Sequence, residues 1–194
     1  MKKAPTQEVF LKDVAKHEML VKLDSGVYRH IVFRRPDNSN HWFEIVTYPE
    51  KLVISGDMGT WAFSRVEDMF TFFRTDSGEI NAHYWSEKLV NGVHGGVNSS
   101  MVYDGDAYRE RLIGSLDEYG MDDDRRAGIV REMRSFDFDD EHWIVSTLND
   151  FDHDGFTFQD LWEIDMKVYS CHFIWCLYAI VYGIGKYDAM KANP

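Results

Sequence analysis

The sequence predicts an α+β protein: an N-terminal antiparallel β-meander of about four strands packed by helices, followed by a mainly helical C-terminal half. Three observations carry this. Short aromatic and β-branched runs bounded by turn residues recur between residues 27 and 64. Beyond residue 104 the apolar residues recur at three and four, the period of an α-helix. Of the 194 residues, 44% are hydrophobic and 15% aromatic, enough to bury a core and too apolar for a disordered chain.

Residues 7–19 (QEVFLKDVAKHEM) suit a modest amphipathic helix. VYRHIVFRR (27–35), HWFEIVTY (41–48), KLVIS (51–55) and TWAFS (60–64) suit strands. Pro36-Asp37-Asn38, Pro49-Glu50 and Gly56-Asp57-Met58-Gly59 supply the turns between them. Strand alternation places Trp61 and Phe63 on one face. Ser64-Arg65-Val66-Glu67 has the form of a capping box. Val66, Met69, Phe70 and Phe73 then make an apolar stripe able to cover the sheet. A short aromatic helix follows around residues 80–90. Gly92, Gly95 and Gly96 mark a hinge-like loop at about 91–100, with neither the ending of a phosphate loop nor a dinucleotide fingerprint. The loop joins a β-rich part (about 20–75) to a helical part (about 104–191) of a single domain, 1–194.

In that helical part Asp106 can cap a helix that turns Tyr108, Leu112, Ile113 and Leu116 inward and stops near Gly120. Residues 122–135 form the next helix, with three aspartates at the end where the helix dipole favours negative charge. Asp139-Asp140-Glu141 open a third in the same way. Thr157-Phe158-Gln159-Asp160, a second capping box, starts a fourth. The last helix, about 170–190, is apolar nearly all round and is expected to be central.

No apolar run follows Met1-Lys2-Lys3-Ala4-Pro5, so no secretory signal is expected. The longest apolar stretch, Cys171 to Gly185, falls short of the roughly 20 residues of a membrane span. Cys171 and Cys176 diverge by roughly 140° on a helix, so no bridge between them is expected, which fits a reducing cytoplasm. His153 among its aspartates, and His172 beside the cysteines, are clusters without zinc-site spacing. No GxSxG elbow is present, and Ser55-Gly56-Asp57 suits a tight turn. No cofactor is expected.

Asp150, Asp152, Asp154 and Gly155 occupy positions one, three, five and six of an EF-hand calcium loop. Position twelve is Leu161 instead of the bidentate glutamate; Asp160 comes one residue early and Glu163 two late. The EF-hand-like candidate is therefore weak, and an acidic helix–loop–helix connection explains the same residues.

The net charge is −12. Residues 1–100 hold 13 acids and 12 bases; residues 101–194 hold 20 acids and 9 bases. So acidic a second half argues against direct nucleic-acid binding and for a basic partner. Asp122, Asp123, Asp124, Asp137, Asp139, Asp140 and Glu141 are the expected contacts, placed to form a face that imitates a phosphate backbone. Trp143 is the expected aromatic anchor.

The run YRHIVFRRPDNSNHWFEIVTYPEKLVISGDMGTWAFSRVEDMFTFF (28–73) resembles a family of small accessory proteins of tailed bacteriophages and prophages. HFIWCLYAIVYGIGKYDAM (172–190) has the same character. The resemblance implies a non-structural protein acting in the host bacterial cytoplasm, of the kind that blocks defence systems such as CRISPR complexes. The partner would be a host defence protein or nucleoprotein complex with a basic surface, without a membrane. The alternative is an accessory enzyme acting on a nucleotide or modified base, with His30, His41 and His83 as acid–base candidates in a pocket between sheet and helices. A homodimer burying part of the 171–185 helix is a third possibility.

Overall fold

The structure, a computed structural model, describes residues 4–90 and 96–193. Its fold class is α+β, as the sequence implies: a five-stranded antiparallel sheet in the N-terminal half, then a mainly helical half. The chain divides into two compact units. One is Val102–Val168; the other joins Lys2–Met101 to Tyr169–Pro194.

In the larger unit, α1 (Gln7–Asp13) is capped by the Thr6 hydroxyl and ends well before residue 19. The chain then enters β1 (Glu18–Ser25), β2 (Tyr28–Arg34), β3 (Phe43–Tyr48), β4 (Lys51–Gly56) and β5 (Gly59–Ser64). They pair in sequence order, so the meander has five strands, not four. The extra strand, β1, buries no residue, and its register slips between Val21 and Leu23. An edge strand of this kind carries half an apolar pattern and is easily taken for helix.

Alternation sorts the remaining strands. Ile31 and Phe33 of β2, Phe43 and Ile45 of β3, Leu52 and Ile54 of β4, and Phe63 of β5 are buried on one face. Helices α2 (Met69–Phe73) and α7 (Cys171–Ala192) cover that face. The capping box at Ser64 does not form. Asp68 caps α2 instead, accepting from the Phe70 N–H, and Val66 is left exposed while Met69, Phe70 and Phe73 are buried. Helix α3 (Ala82–Ser86) adds Trp85 to the same core.

Helix α7 is central, as its composition implies, but to the sheet unit and not to the helices before it. It buries Phe173, Trp175, Leu177 and Ile180 among others. At Gly183 a Cβ would lie 2.6 Å from Ile45 Cδ1, so any larger residue would push the ends of the Ile45 and Phe33 side chains aside. The face offered for a homodimer at 171–185 is thus largely used by the chain's own sheet. Cys171 and Cys176 are free, and burial pushes the Cys176 thiol up to about 12. Among the described residues no helix is long and apolar enough to cross a membrane. Part of the hinge-like loop, 91–95, lies outside the described residues; Val97–Ser100 form a 3₁₀ turn.

The chain passes into the smaller unit through β6 (Met101–Tyr103) and out through β7 (Lys167–Tyr169), which pair with each other. Between them lie α4 (Gly105–Ser115), α5 (Asp123–Met133) and α6 (Glu141–Asn149). Asp104, and not Asp106, caps α4; Asp122 caps α5 and Asp140 caps α6. Tyr108, Leu112, Leu116, Ile129, Met133, Phe138, Ile144 and Leu148 form the core of this unit.

The helix expected from Thr157 is absent. Gln159 turns its amide to the Thr157 hydroxyl and its backbone N–H to the Tyr119 hydroxyl, and Asp160 is left-handed at φ 52°. Only a 3₁₀ turn, Leu161–Glu163, follows.

Candidate functional site

The charge is divided between the units. Residues 102–168 hold 19 acids and 7 bases, a net of −12; the rest of the chain holds 14 of each, a net of 0. The whole formal net charge of the protein therefore arises from its smaller unit.

Two acidic poles lie at opposite ends of α5, whose 11 residues span about 16 Å at 1.5 Å per residue. At its N-terminus Asp122 accepts from the Arg125 N–H at 2.9 Å, while Asp123 and Asp124 occupy the first turn. The Arg125 guanidinium bonds the Asp154 carbonyl at 2.8 Å and so holds Asp154 beside this pole. Beyond its C-terminus, Asp137 accepts from the Asp139 N–H and Asp140 from the Trp143 N–H. Glu141 opens α6 beside them. Among the described residues none of the seven expected contact carboxylates belongs to an ion pair. Ion pairs fall on others: Asp106 pairs with Arg109 and Asp117 with Arg126, while Glu132 is hydrogen-bonded to His153.

One unbroken acidic face does not run along α5. Its outward side carries Arg126, Arg131 and Arg134, which line a shallow depression of about 550 Å³ with Asp123, Ala127 and Val130. The site is two groups of carboxylates with the exposed Arg131 and Arg134 between them in sequence.

Trp143 is exposed, edge-on to Phe136 at 6.4 Å. The sequence reading missed a more exposed aromatic in the same unit, Trp162, which keeps 80% of its surface in water. Its only sequence signal is that Leu161 and Ile164, three apart, are the core-facing residues of that turn.

The EF-hand-like loop is built differently from its motif. Asp154 and Gly155, at φ 50° and 78°, form the two-residue turn of a small hairpin closed by reciprocal His153–Phe156 backbone bonds. Asp152 accepts from the Gly155 N–H at 2.8 Å, and Leu161 packs on the core. His153 is committed to Glu132 at 2.6 Å. Among the described residues no group of three or more His, Cys, Asp or Glu side chains is placed to hold a metal ion.

The acid–base candidates are not brought together. His30 lies on β2 and bonds Glu44 at 2.8 Å; His83 lies on α3, 3.7 Å from Glu87. His41 lines a cavity of about 480 Å³ with Asp13, Met58, Cys171, His172 and Trp175. Its backbone is left-handed at φ 58° and held at both ends. Its N–H donates to Asp57 at 2.6 Å, and its carbonyl takes the His17 Nε2–H at 2.9 Å. The ring stacks on Trp175, whose indole N–H donates to Asp13 at 3.0 Å.

His17 gives this corner a pH dependence. Burial pulls its pKa below the ordinary 6.5, outweighing the His41 carbonyl bond that raises it, and the charges of His41 and Arg35 lower it further. The folded protein therefore binds fewer protons at this site than the unfolded chain. The stability linked to His17 is full above about pH 6.5 and is lost as pH falls toward its lowered folded value. Urea midpoints measured from pH 7.5 down to 5 should fall more steeply in the parent than in His17→Gln; equal slopes would remove His17 from the account.

No protein-family model, curated protein or solved structure matches this chain. The fold and the site define an α+β protein whose smaller helical unit is strongly acidic.

Proposed function

We propose that the protein is a phage-encoded binding protein that docks its 102–168 unit on a basic surface of a bacterial defence complex of the CRISPR type, and obstructs the nucleic-acid site there. The observation that supports this most is the confinement of the entire −12 charge to that unit, with the seven expected carboxylates outside any ion pair among the described residues. Carboxylates at two places, before and beyond α5, resemble the spaced charges of a nucleic-acid backbone more than a single anion site. Each exposed contact is weak, about 0.4 kcal/mol, and several together set affinity and steer encounter.

Asp122 and Asp140 are helix caps, so reversing their charge would also loosen α5 and α6. The clean test is isosteric: Asp122→Asn, Asp123→Asn, Asp124→Asn, Asp139→Asn, Asp140→Asn and Glu141→Gln in one chain. Asparagine keeps both caps. Six lost contacts at that magnitude weaken binding by about fiftyfold. Affinity capture from host lysate, with parent and variant in parallel and mass spectrometry of what is retained, should return a nucleic-acid-binding defence component with the parent alone. Identical captures from the two proteins would overturn the reading.

The alternative, a nucleotide-modifying accessory enzyme, draws support from the His41 cavity, where a left-handed histidine faces a free thiol and a second histidine. It ranks second because no hydrogen bond joins its candidate acid and base groups among the described residues.

A further inference from the structure

Resting on the proposed basic partner, we infer that Trp162 is the anchor of the acidic unit and that its occupant is an arginine side chain from a cationic segment of that partner. An exposed tryptophan ordinarily turns inward to bury its ring, and here the backbone forbids it. In the 3₁₀ turn, residues three apart share a face. Leu161 and Ile164 both pack on the unit's core, so Trp162 between them must face out.

The turn is also tied down on both sides. Before it, the Tyr119 hydroxyl accepts from the Gln159 N–H at 3.1 Å and lies 3.4 Å from its carbonyl. After it, the Arg111 guanidinium donates to the Asp165 carbonyl at 2.6 Å and the Lys167 carbonyl at 3.1 Å. Five residues lie between these two clamps. The indole is thus presented on a fixed backbone, and little ordering entropy remains to be lost on binding.

The chemistry of the occupant follows from the neighbours. Asp160, Glu163 and Asp165 are exposed, and among the described residues none of their carboxylates is hydrogen-bonded. An indole face attracts a cation, and tryptophan does so best among the aromatic side chains. A guanidinium can stack flat on the ring while its N–H groups meet carboxylates; an ammonium is a hydrated point charge that does so less well. A purely electrostatic surface, in contrast, does not tell arginine from lysine.

The experiment titrates the full-length protein with tetra-arginine amide and with tetra-lysine amide at low salt. Affinity is read by calorimetry. The site is read from the indole N–H resonance that disappears in Trp162→Phe. The expected result is about fivefold tighter binding of the arginine peptide, with a shift of the Trp162 resonance. Trp162→Ala should abolish the preference, while Trp143→Ala keeps it. With so much of the ring in water, Trp162→Ala removes little packing and the fold is retained.

Equal affinity for the two peptides, or a preference that survives in Trp162→Ala, overturns the inference. The isosteric six-residue variant separates it from the reading on which it rests. Should that variant capture the same proteins from lysate as the parent, while Trp162→Ala loses the arginine preference, the anchor stands and the two-pole surface falls. Should the isosteric variant alone lose affinity, the surface stands and the anchor falls.

Discussion

Replacing Arg29 by methionine is expected to lower the unfolding free energy by about 3 to 4 kcal/mol. Arg29 projects from the core side of β2 and is only 7% exposed. Its two terminal nitrogens meet the two Asp68 oxygens at 2.9 Å each, and its guanidinium lies 4.4 Å from the centre of the Phe70 ring. Asp68 in turn caps α2 through the Phe70 N–H. Burial by itself would raise the Asp68 pKa, but the Arg29 hydrogen bonds and the Phe70 N–H outweigh it, and the carboxyl is held below its ordinary range. Methionine preserves the apolar bulk and leaves a partly buried carboxylate without its cation, which is the costly half of breaking such a pair.

Urea unfolding at pH 7 measures the loss. A loss under about 1 kcal/mol would show that the pair behaves as an exposed one. Adding Asp68→Asn, which keeps the cap, should return part of the stability because no buried charge is then stranded. The sign with pH is also set. A depressed Asp68 contributes stability present above the ordinary carboxylate pKa and lost as pH falls through the lowered folded value. Arg29→Met should remove that acid limb.

Gly105→Val is expected to destabilise the 102–168 unit by about 3 kcal/mol, the upper end of overpacking costs. Gly105 opens α4, where glycine is a poor helix former, and its use there is explained by space. A Cβ at this position would overlap the Phe138 carbonyl oxygen, which already accepts the Tyr103 hydroxyl at 2.7 Å. The atom that must yield is backbone, not a flexible side chain. Phe138 sits between Asp137 and Asp139, so the displacement is delivered to the second acidic pole. Hydrogen exchange should show lost protection in α4 and α6 with α7 amides unchanged. A variant whose α4 and α6 amides remain as protected as the parent's would show that the contact can relax without cost.

The strands from 28 to 64 were legible because each alternates between a buried and an open face and ends at a turn residue. Edge strand β1 was not, since half its pattern is missing and Lys22 and the register slip break the rest. Both capping boxes failed for one reason. A Ser or Thr followed three residues later by Glu, Gln or Asp is a local preference of tenths to about 2 kcal/mol, and tertiary partners outbid it. At Ser64 the stronger cap is Asp68, which Arg29 fixes; at Thr157 the Tyr119 hydroxyl takes the Gln159 N–H that a helix would need.

For the site, the sum of charge and its bias to the second half follow from counting residues. The two poles do not, because α5 separates Asp122–Asp124 from Asp137–Glu141 in space while turning three arginines outward between them. Trp162 could not be distinguished from five other tryptophans, most of which are wholly or partly buried. What the chain determined alone was the fold class, the meander and its acidity, all properties of local pattern and composition that need no distant partner. Which unit holds α7, where the carboxylates gather and which aromatic faces water were decided only by tertiary structure. Each depends on which side chains the cores claim first, and that competition is settled between residues far apart in sequence.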